Sequence, residues 1–171
     1  MPKVSFEEIP DTGKLWIFAA DRVLASEEES TLLAAVDAFL EHWAAHDVPL
    51  RCARDWRYSQ FLFVAVDEDV EAPSGCSIDA MTGDLRSIES KLGVVLIDNS
   101  PVLYRSGDAT RRVTRAEFKT LAAQGEVGPD TIVFNNTITQ VGRLRAGEWE
   151  GPASHSWHGK VFFPAVSEPA G

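Results

Sequence analysis

The sequence has little cysteine and no long apolar run, and each shortage excludes a class of protein. Two cysteines in 171 residues, Cys52 and Cys76, do not make a disulfide framework, so we expect free thiols in a reducing compartment. No apolar run approaches the roughly 20 residues that span a bilayer, and the acidic, polar N-terminal stretch does not resemble a signal peptide. We therefore expect a cytoplasmic protein that has no membrane partner.

Basic residues are also scarce. Lys and Arg number 16 against 26 Asp and Glu, which gives a net charge of −10 and a pI near 4.8. A protein that binds nucleic acid needs a basic surface, so we expect no nucleic-acid partner. The phosphate-binding loop of P-loop ATPases is missing too, because Gly13-Lys14 is followed by leucine, not by Ser or Thr.

What is present is the composition of an ordinary globular protein. Hydrophobic residues make up 44% and charged residues 25% of the chain. A chain of 171 residues can bury about two-thirds of its unfolded surface, so its core needs no disulfide or metal. The histidine pairs His42/His46 and His155/His158 do not match a zinc-protease motif, and we predict neither a metal site nor a cofactor.

Residues 1–50 predict a strand and then a helix. The apolar run Lys14–Ala20 follows a turn cluster and is typical of a first strand. Ser26, with Glu29 three residues later, predicts a capping box at the start of an amphipathic helix. The apolar residues at helical spacing behind this cap predict a helix that ends near His46.

Residues 50–100 predict two strands, a second helix and a further strand. Residues 50–58 alternate in polarity and residues 60–68 are almost wholly apolar, as in an edge strand beside a central strand. A stripe of apolar residues then predicts a helix that Gly93 ends, and residues 94–98 resemble another strand. The resulting order is that of the split βαβ arrangement, so we predict a ferredoxin-like α+β domain over residues 1–100, with two helices on an antiparallel sheet.

Residues 101–171 predict a smaller α+β subdomain with an aromatic C-terminal tail. A hairpin is expected around Ser106-Gly107-Asp108. Thr114 as N-cap, Glu117 and Gly125 then delimit a short helix, and residues 126–136 lead into another strand. The sequence leaves open whether this segment is a separate domain or shares one core with the rest.

This C-terminal segment resembles the small GYF-type modules of bacterial proteins. The resemblance covers about forty residues and lies at these positions: Leu121, Gly125, Val127, Pro129, Asp130, Thr131 and Val133. It implies an adaptor module that binds other proteins, often through proline-rich segments. The whole chain resembles a bacterial family of unknown function that is sometimes labelled "ABC transporter ATPase", through residues 15–22, 73–79 and 128–136. The missing P-loop argues against that activity.

The start of the second helix is the candidate site for chemistry. Cys76 lies in its first turn if the helix begins at Ser74, and just before it if the helix begins at Ser77. Asp79 and His158 could then supply a carboxylate and a base to an activated thiol. The alternative is that Cys76 fills a small buried space and that Ser74 or Ser77 caps the helix.

Two other hypotheses concern binding sites. Ser74, Gly75 and Ser77 could hold an anion at the helix start, although every capped helix offers such groups. The aromatic side chains of Trp16, Trp56 and Tyr58 could line a recognition surface, although on strands such residues more often pack in the core or against a neighbouring strand. The sequence therefore favours a non-catalytic adaptor or accessory protein that binds another protein. A small thiol-dependent enzyme or redox sensor that uses Cys76 is the alternative, and the oligomeric state is left open.

Overall fold

The computed structural model describes residues 3–164 and divides the chain into two units. The first unit consists of Met1–Asp98 together with Thr139–Arg143, and the second of Asn99–Ile138 together with Leu144–Gly171. The fold is mixed α+β, with antiparallel sheets in both units.

The first unit is built on a three-stranded antiparallel sheet in the order β1-β5-β4, with β5 in the centre. Its elements are β1 (Lys14–Ala19), α1 (Ser26–Leu40), β2 (Ala44–Ala45), β3 (Val48–Pro49), β4 (Cys52–Arg57), β5 (Phe61–Val66) and α2 (Gly75–Leu92). All six residues of β5 are buried, as its apolar sequence predicts. Both helices pack against one face of this sheet, where Val36 of α1, Leu85 of α2 and Val64 of β5 share one core.

The predicted start of α1 is wrong by one residue. The N-cap is Ala25, and the Glu28 carboxylate accepts a hydrogen bond from the Ala25 N–H at 3.0 Å. Ser26 with Glu29 fits the capping pattern in sequence, but the structure starts the helix one residue earlier and uses Glu28. The predicted end near His46 is also wrong, since α1 ends at Leu40 and β2 and β3 form a small hairpin.

The strand predicted over residues 94–98 is absent, because this segment finds its hydrogen-bond partners elsewhere. The amides of Leu96 and Ile97 donate to the Glu89 carboxylate at 2.6 and 3.1 Å, and Val95 bonds to Asp21. A side chain of α2 therefore supplies the acceptor that a neighbouring strand would have supplied. The segment Thr139–Arg143 instead reaches β1, where the Leu15 N–H donates to the Thr139 carbonyl at 2.9 Å.

The second unit has a four-stranded antiparallel sheet in the order β7-β6-β8-β9. Its elements are β6 (Val102–Ser106), β7 (Ala109–Val113), α3 (Arg115–Ala123), β8 (Ile132–Phe134), β9 (Glu150–Pro152) and α5 (Trp157–Phe162), while α4 (Val141–Arg145) begins in the first unit. The predicted hairpin and the predicted cap of α3 are present, with Thr114 Oγ1 accepting from the Glu117 N–H at 3.0 Å. Phe118 is fully buried at the centre of this core.

Candidate functional site

The predicted helix start at residues 74–79 is present, and both serine hydroxyls there are committed to capping. The Ser77 N–H donates to Ser74 Oγ at 3.1 Å, and the Ser74 N–H donates to Ser77 Oγ at 2.7 Å. The Ser77 hydroxyl also donates to the Ser74 carbonyl at 2.7 Å. Gly75 faces open space. The two hydroxyls that an anion would use are therefore engaged within the helix itself.

Cys76 is exposed on the first turn of α2, so it does not fill a buried space. Asp79 is exposed on the same turn region. Cys52 is the opposite case, since it is 0% exposed and its Sγ lies 3.4 Å from the Leu40 carbonyl oxygen. Burial, and then the nearby Glu41 charge, raise the pKa of Cys52 to about 12. Only Cys76 therefore offers an accessible thiol.

His158, the candidate base, belongs to the second unit, whereas Cys76 and Asp79 belong to the first. Its side chain is 1% exposed, with Nδ1 2.7 Å from Ser156 Oγ and the ring stacked on Trp157 at a centroid distance of 3.9 Å. Burial, and then the Arg115 charge, lower the pKa of His158 to about 4. These contacts describe a neutral imidazole packed into the core of its own unit.

The low pKa of His158 predicts a loss of stability in mild acid. Because the folded pKa lies below the unfolded value near 6.5, the unfolded chain binds a proton that the folded protein rejects. The contribution of His158 to the free energy of unfolding is therefore retained above pH 6.5. It falls by about 3 kcal/mol as the pH drops from 6.5 to about 4. Urea denaturation at pH 7 and pH 4 measures the change. His158→Gln should lack the part of the acid-induced loss that comes from protonation of His158. If that variant loses as much stability between pH 7 and pH 4 as the wild type does, His158 is not the cause.

A second candidate site, which we call the apex surface, consists of the side chains of Val23, Tyr58 and Val95. Their exposed fractions are 57%, 49% and 38%, so three of the six large exposed hydrophobic residues in the described part of the chain lie here. Backbone hydrogen bonds hold the three segments together at one end of the sheet. The Leu24 N–H donates to the Ser59 carbonyl at 2.9 Å, and the Asp21 N–H donates to the Val95 carbonyl at 3.0 Å.

The tip of the β4–β5 hairpin presents Tyr58 in a strained backbone conformation. Tyr58 and Ser59 have φ values of 57° and 54°, a region that costs a non-glycine residue about 1–2 kcal/mol. The Glu29 carboxylate stabilises this tip by accepting hydrogen bonds from the Ser59 hydroxyl and from Trp56 Nε1, the latter at 2.9 Å. These two bonds, in that order, hold the pKa of Glu29 below its usual value. The tyrosine is thus displayed on a fixed support.

Acidic residues surround this support. Residues 1–98 contain 19 Asp and Glu against 8 Lys and Arg, whereas residues 99–171 contain 7 against 8. Next to the apex surface, Arg22 is paired with Glu28 through two hydrogen bonds of 2.8 and 2.6 Å. Asp21 and Glu27 add further negative charge on the same segments, whereas Asp55 is paired with Arg57 at 2.9 Å. The apex surface is therefore an aromatic and aliphatic patch with an acidic rim.

Sequence reasoning treated Trp16, Trp56 and Tyr58 alike and gave more weight to a core position for all three. Trp16 and Trp56 do pack against the first core, while Tyr58 is 49% exposed and contacts the buried Phe61 ring edge-on at a centroid distance of 6.3 Å. The signal for the difference was the position of Tyr58 in the short polar joint of residues 58–60, between the ends of β4 and β5. Val23 and Val95 carried no such signal, because only the folded chain brings them beside the joint.

Among residues 3–164, no group of three or more His, Cys, Asp or Glu side chains is arranged to hold a metal ion. No helix in that range has both the length and the apolar character to cross a bilayer. Family models, curated proteins and solved structures gave no match to the chain.

Proposed function

We propose that the protein is a non-catalytic adaptor or accessory protein of the cytoplasm that binds a partner protein through the apex surface. The observation that carries the proposal is that three exposed side chains, those of Tyr58, Val23 and Val95, lie on segments that backbone hydrogen bonds join at one end of the sheet, with Tyr58 on the strained tip of the β4–β5 hairpin. Tyrosine is enriched at interface hot spots, because it contributes a large contact area at a small cost in conformational entropy. A side chain that is already fixed loses little further entropy on binding.

The rim of the surface indicates the chemistry of the partner. Because the segments around Tyr58 carry an excess of carboxylates, the partner surface should combine an apolar pocket with basic residues at its edge. The resemblance of residues 101–136 to GYF-type modules, which bind other proteins, supports the same functional class. For the first unit we further propose a relationship to the ferredoxin-like arrangement, in which β1, β4 and β5 correspond to the split βαβ unit and the sheet has three strands instead of four within residues 3–164.

Photo-crosslinking in producing cells tests this proposal, and the chain offers a matched control. Val23 and Val70 are both 57% exposed. Val70 follows β5, whereas Tyr58 precedes it. Val70 therefore lies at the opposite end of a strand about 20 Å long from Tyr58 and the apex surface. A photoreactive phenylalanine analogue at position 23 is expected to capture a discrete partner that the analogue at position 70 does not capture.

The substitution Tyr58→Glu should reduce this crosslink at least tenfold, because it places a charge where the partner buries an aromatic ring. Val70→Glu should leave the crosslink unchanged. The proposal is wrong if positions 23 and 70 capture the same proteins, or if Tyr58→Glu folds normally and crosslinks as well as the wild type.

The exposure of Cys76 favours one second candidate, a thiol-dependent enzyme or redox sensor. The thiol is accessible and lies in the first turn of an 18-residue helix. Cys76→Ser separates the two functions, since it would abolish a thiol-dependent response and leave the Val23 crosslink intact.

A further inference from the structure

The first turn of α1 clamps the hairpin tip that presents Tyr58. The Ser59 carbonyl accepts from the Leu24 N–H at 2.9 Å, and the Ser59 hydroxyl donates to the Glu29 carboxylate. The same carboxylate accepts from Trp56 Nε1 at 2.9 Å. One side chain of α1 therefore holds both the end of β4, where Trp56 lies, and the residue that follows Tyr58.

The backbone of this tip depends on the clamp. Tyr58 and Ser59 have φ values of 57° and 54°, in the left-handed region that L residues with side chains disfavour. Such conformations persist where the surrounding structure holds them in place. Without the Glu29 carboxylate, the tip would keep its backbone bond to Leu24 and lose the acceptor of Trp56 and of the Ser59 hydroxyl. We therefore expect the tip to relax and the Tyr58 ring to take up several orientations.

Glu29 differs in this respect from the two other glutamates in the first turn of α1. Glu27 is exposed, where it can meet a charge on a partner. Glu28 is paired with Arg22 through two hydrogen bonds of 2.8 and 2.6 Å. Glu29 is half-buried, with its carboxylate bonded to the hairpin. The three neighbouring carboxylates therefore have three different surroundings, and only substitution of Glu29 removes the support of the tip.

We propose that Glu29 is a positioning residue of the apex surface, which sets the affinity for the partner protein by holding Tyr58 in the orientation that binds. This role rests on the adaptor function proposed for that surface. A protein whose binding-competent conformation is only partly populated binds with an affinity that is reduced by that fraction. Loss of Glu29 should therefore weaken binding even though Glu29 itself makes no contact with the partner.

The test is a double-mutant cycle on the full-length protein with the photoreactive analogue at position 23. The quantity measured is the protein concentration that gives half-maximal crosslinking in a lysate of the producing cells. Glu29→Ala should raise this concentration at least about fivefold. In a Tyr58→Ala background the same substitution should change it less than about twofold, because the residue through which Glu29 acts is gone. Glu29→Gln keeps one acceptor oxygen, so it should fall between the wild type and Glu29→Ala.

The matched control is Glu27→Ala, which removes the same charge from the same turn of α1 and leaves the hairpin bonds in place. Salt separates the two effects. The loss caused by Glu29→Ala should be equal at about 50 and about 300 mM KCl, whereas any loss caused by Glu27→Ala comes from an exposed charge and should disappear at the higher salt. In the free protein, the indole N–H of Trp56 should exchange its hydrogen at least about tenfold faster in Glu29→Ala than in the wild type.

The outcomes distinguish this role from the adaptor function itself. No crosslink at position 23 of the wild type overturns both. A crosslink that Tyr58→Ala weakens and Glu29→Ala does not weaken overturns the role of Glu29 alone, as does unchanged exchange of the Trp56 indole. Equal losses with and without Tyr58 would show that Glu29 acts independently of it, and a loss that disappears at high salt would make Glu29 a charge contact of the partner. If Glu29→Ala fails to fold, as circular dichroism would show, Glu29→Gln takes its place in the cycle.

Discussion

In the folded protein, iodoacetamide is expected to alkylate Cys76 and to leave Cys52 unmodified, with rates that differ by at least about 10³-fold. Burial and a raised pKa both slow the reaction of Cys52. Cys52 is fully buried, and because burial raises its pKa to about 12, almost none of it is thiolate at pH 7.5. Cys76 is exposed on the first turn of α2, with no steric barrier to a small reagent.

Peptide mapping by mass spectrometry measures both rates in one sample, and a urea-unfolded sample is the control in which both cysteines react. Modification of Cys52 in the native protein at a rate near that of Cys76 would contradict the packing around β4. The pH dependence of the Cys76 rate, measured in a Cys52→Ala background, also bears on the thiol alternative. A midpoint well below 8.5 would support an activated thiolate, and a midpoint near that value would leave the adaptor as the better explanation.

The second large effect concerns Trp43, which anchors the start of α2. Trp43 is 2% exposed and donates from Nε1 to the Ser77 carbonyl at 2.8 Å, and its ring contacts Trp16 and Phe39 at centroid distances of 5.8 and 5.6 Å. Trp43→Ala is expected to lower the free energy of unfolding by about 3–5 kcal/mol, because it leaves a large cavity. Trp43→Phe keeps a ring and loses the hydrogen bond, so we expect a loss of about 1–3 kcal/mol.

Urea denaturation followed by circular dichroism measures both losses without relying on tryptophan fluorescence. The exposed Val70→Ala provides the control and should change the free energy of unfolding by less than about 0.5 kcal/mol. A loss below 1 kcal/mol for Trp43→Ala would show that the ring is not packed as described.

The parts of the fold that depend on local signals could be predicted from the sequence. Gly93 ends α2 with a φ of 65°, as expected for a glycine that follows a helix, and Ser74 with Ser77 caps its start. The apolar run of β5 marked the centre of a sheet for the same local reason. In each case the residues that make the structure are neighbours in sequence.

The parts that depend on distant residues could not be predicted. Glu89 captures the amides of Leu96 and Ile97, a contact that no pattern in residues 94–98 indicates. The apex surface likewise exists because three separate segments meet at one end of the sheet. For Cys76, the helix start was visible in the sequence, but exposure depends on which face of α2 is turned toward the core.

The affinity of the apex surface for the protein captured through Val23 tests the central claim most directly. Isothermal titration of that purified partner should show at least tenfold weaker binding for Tyr58→Ala than for the wild type, equivalent to about 1.4 kcal/mol. The control Val70→Ala should bind within twofold of the wild type. If Tyr58→Ala and Val70→Ala bind equally well, the apex surface is not the interface and the proposed adaptor function through it is wrong.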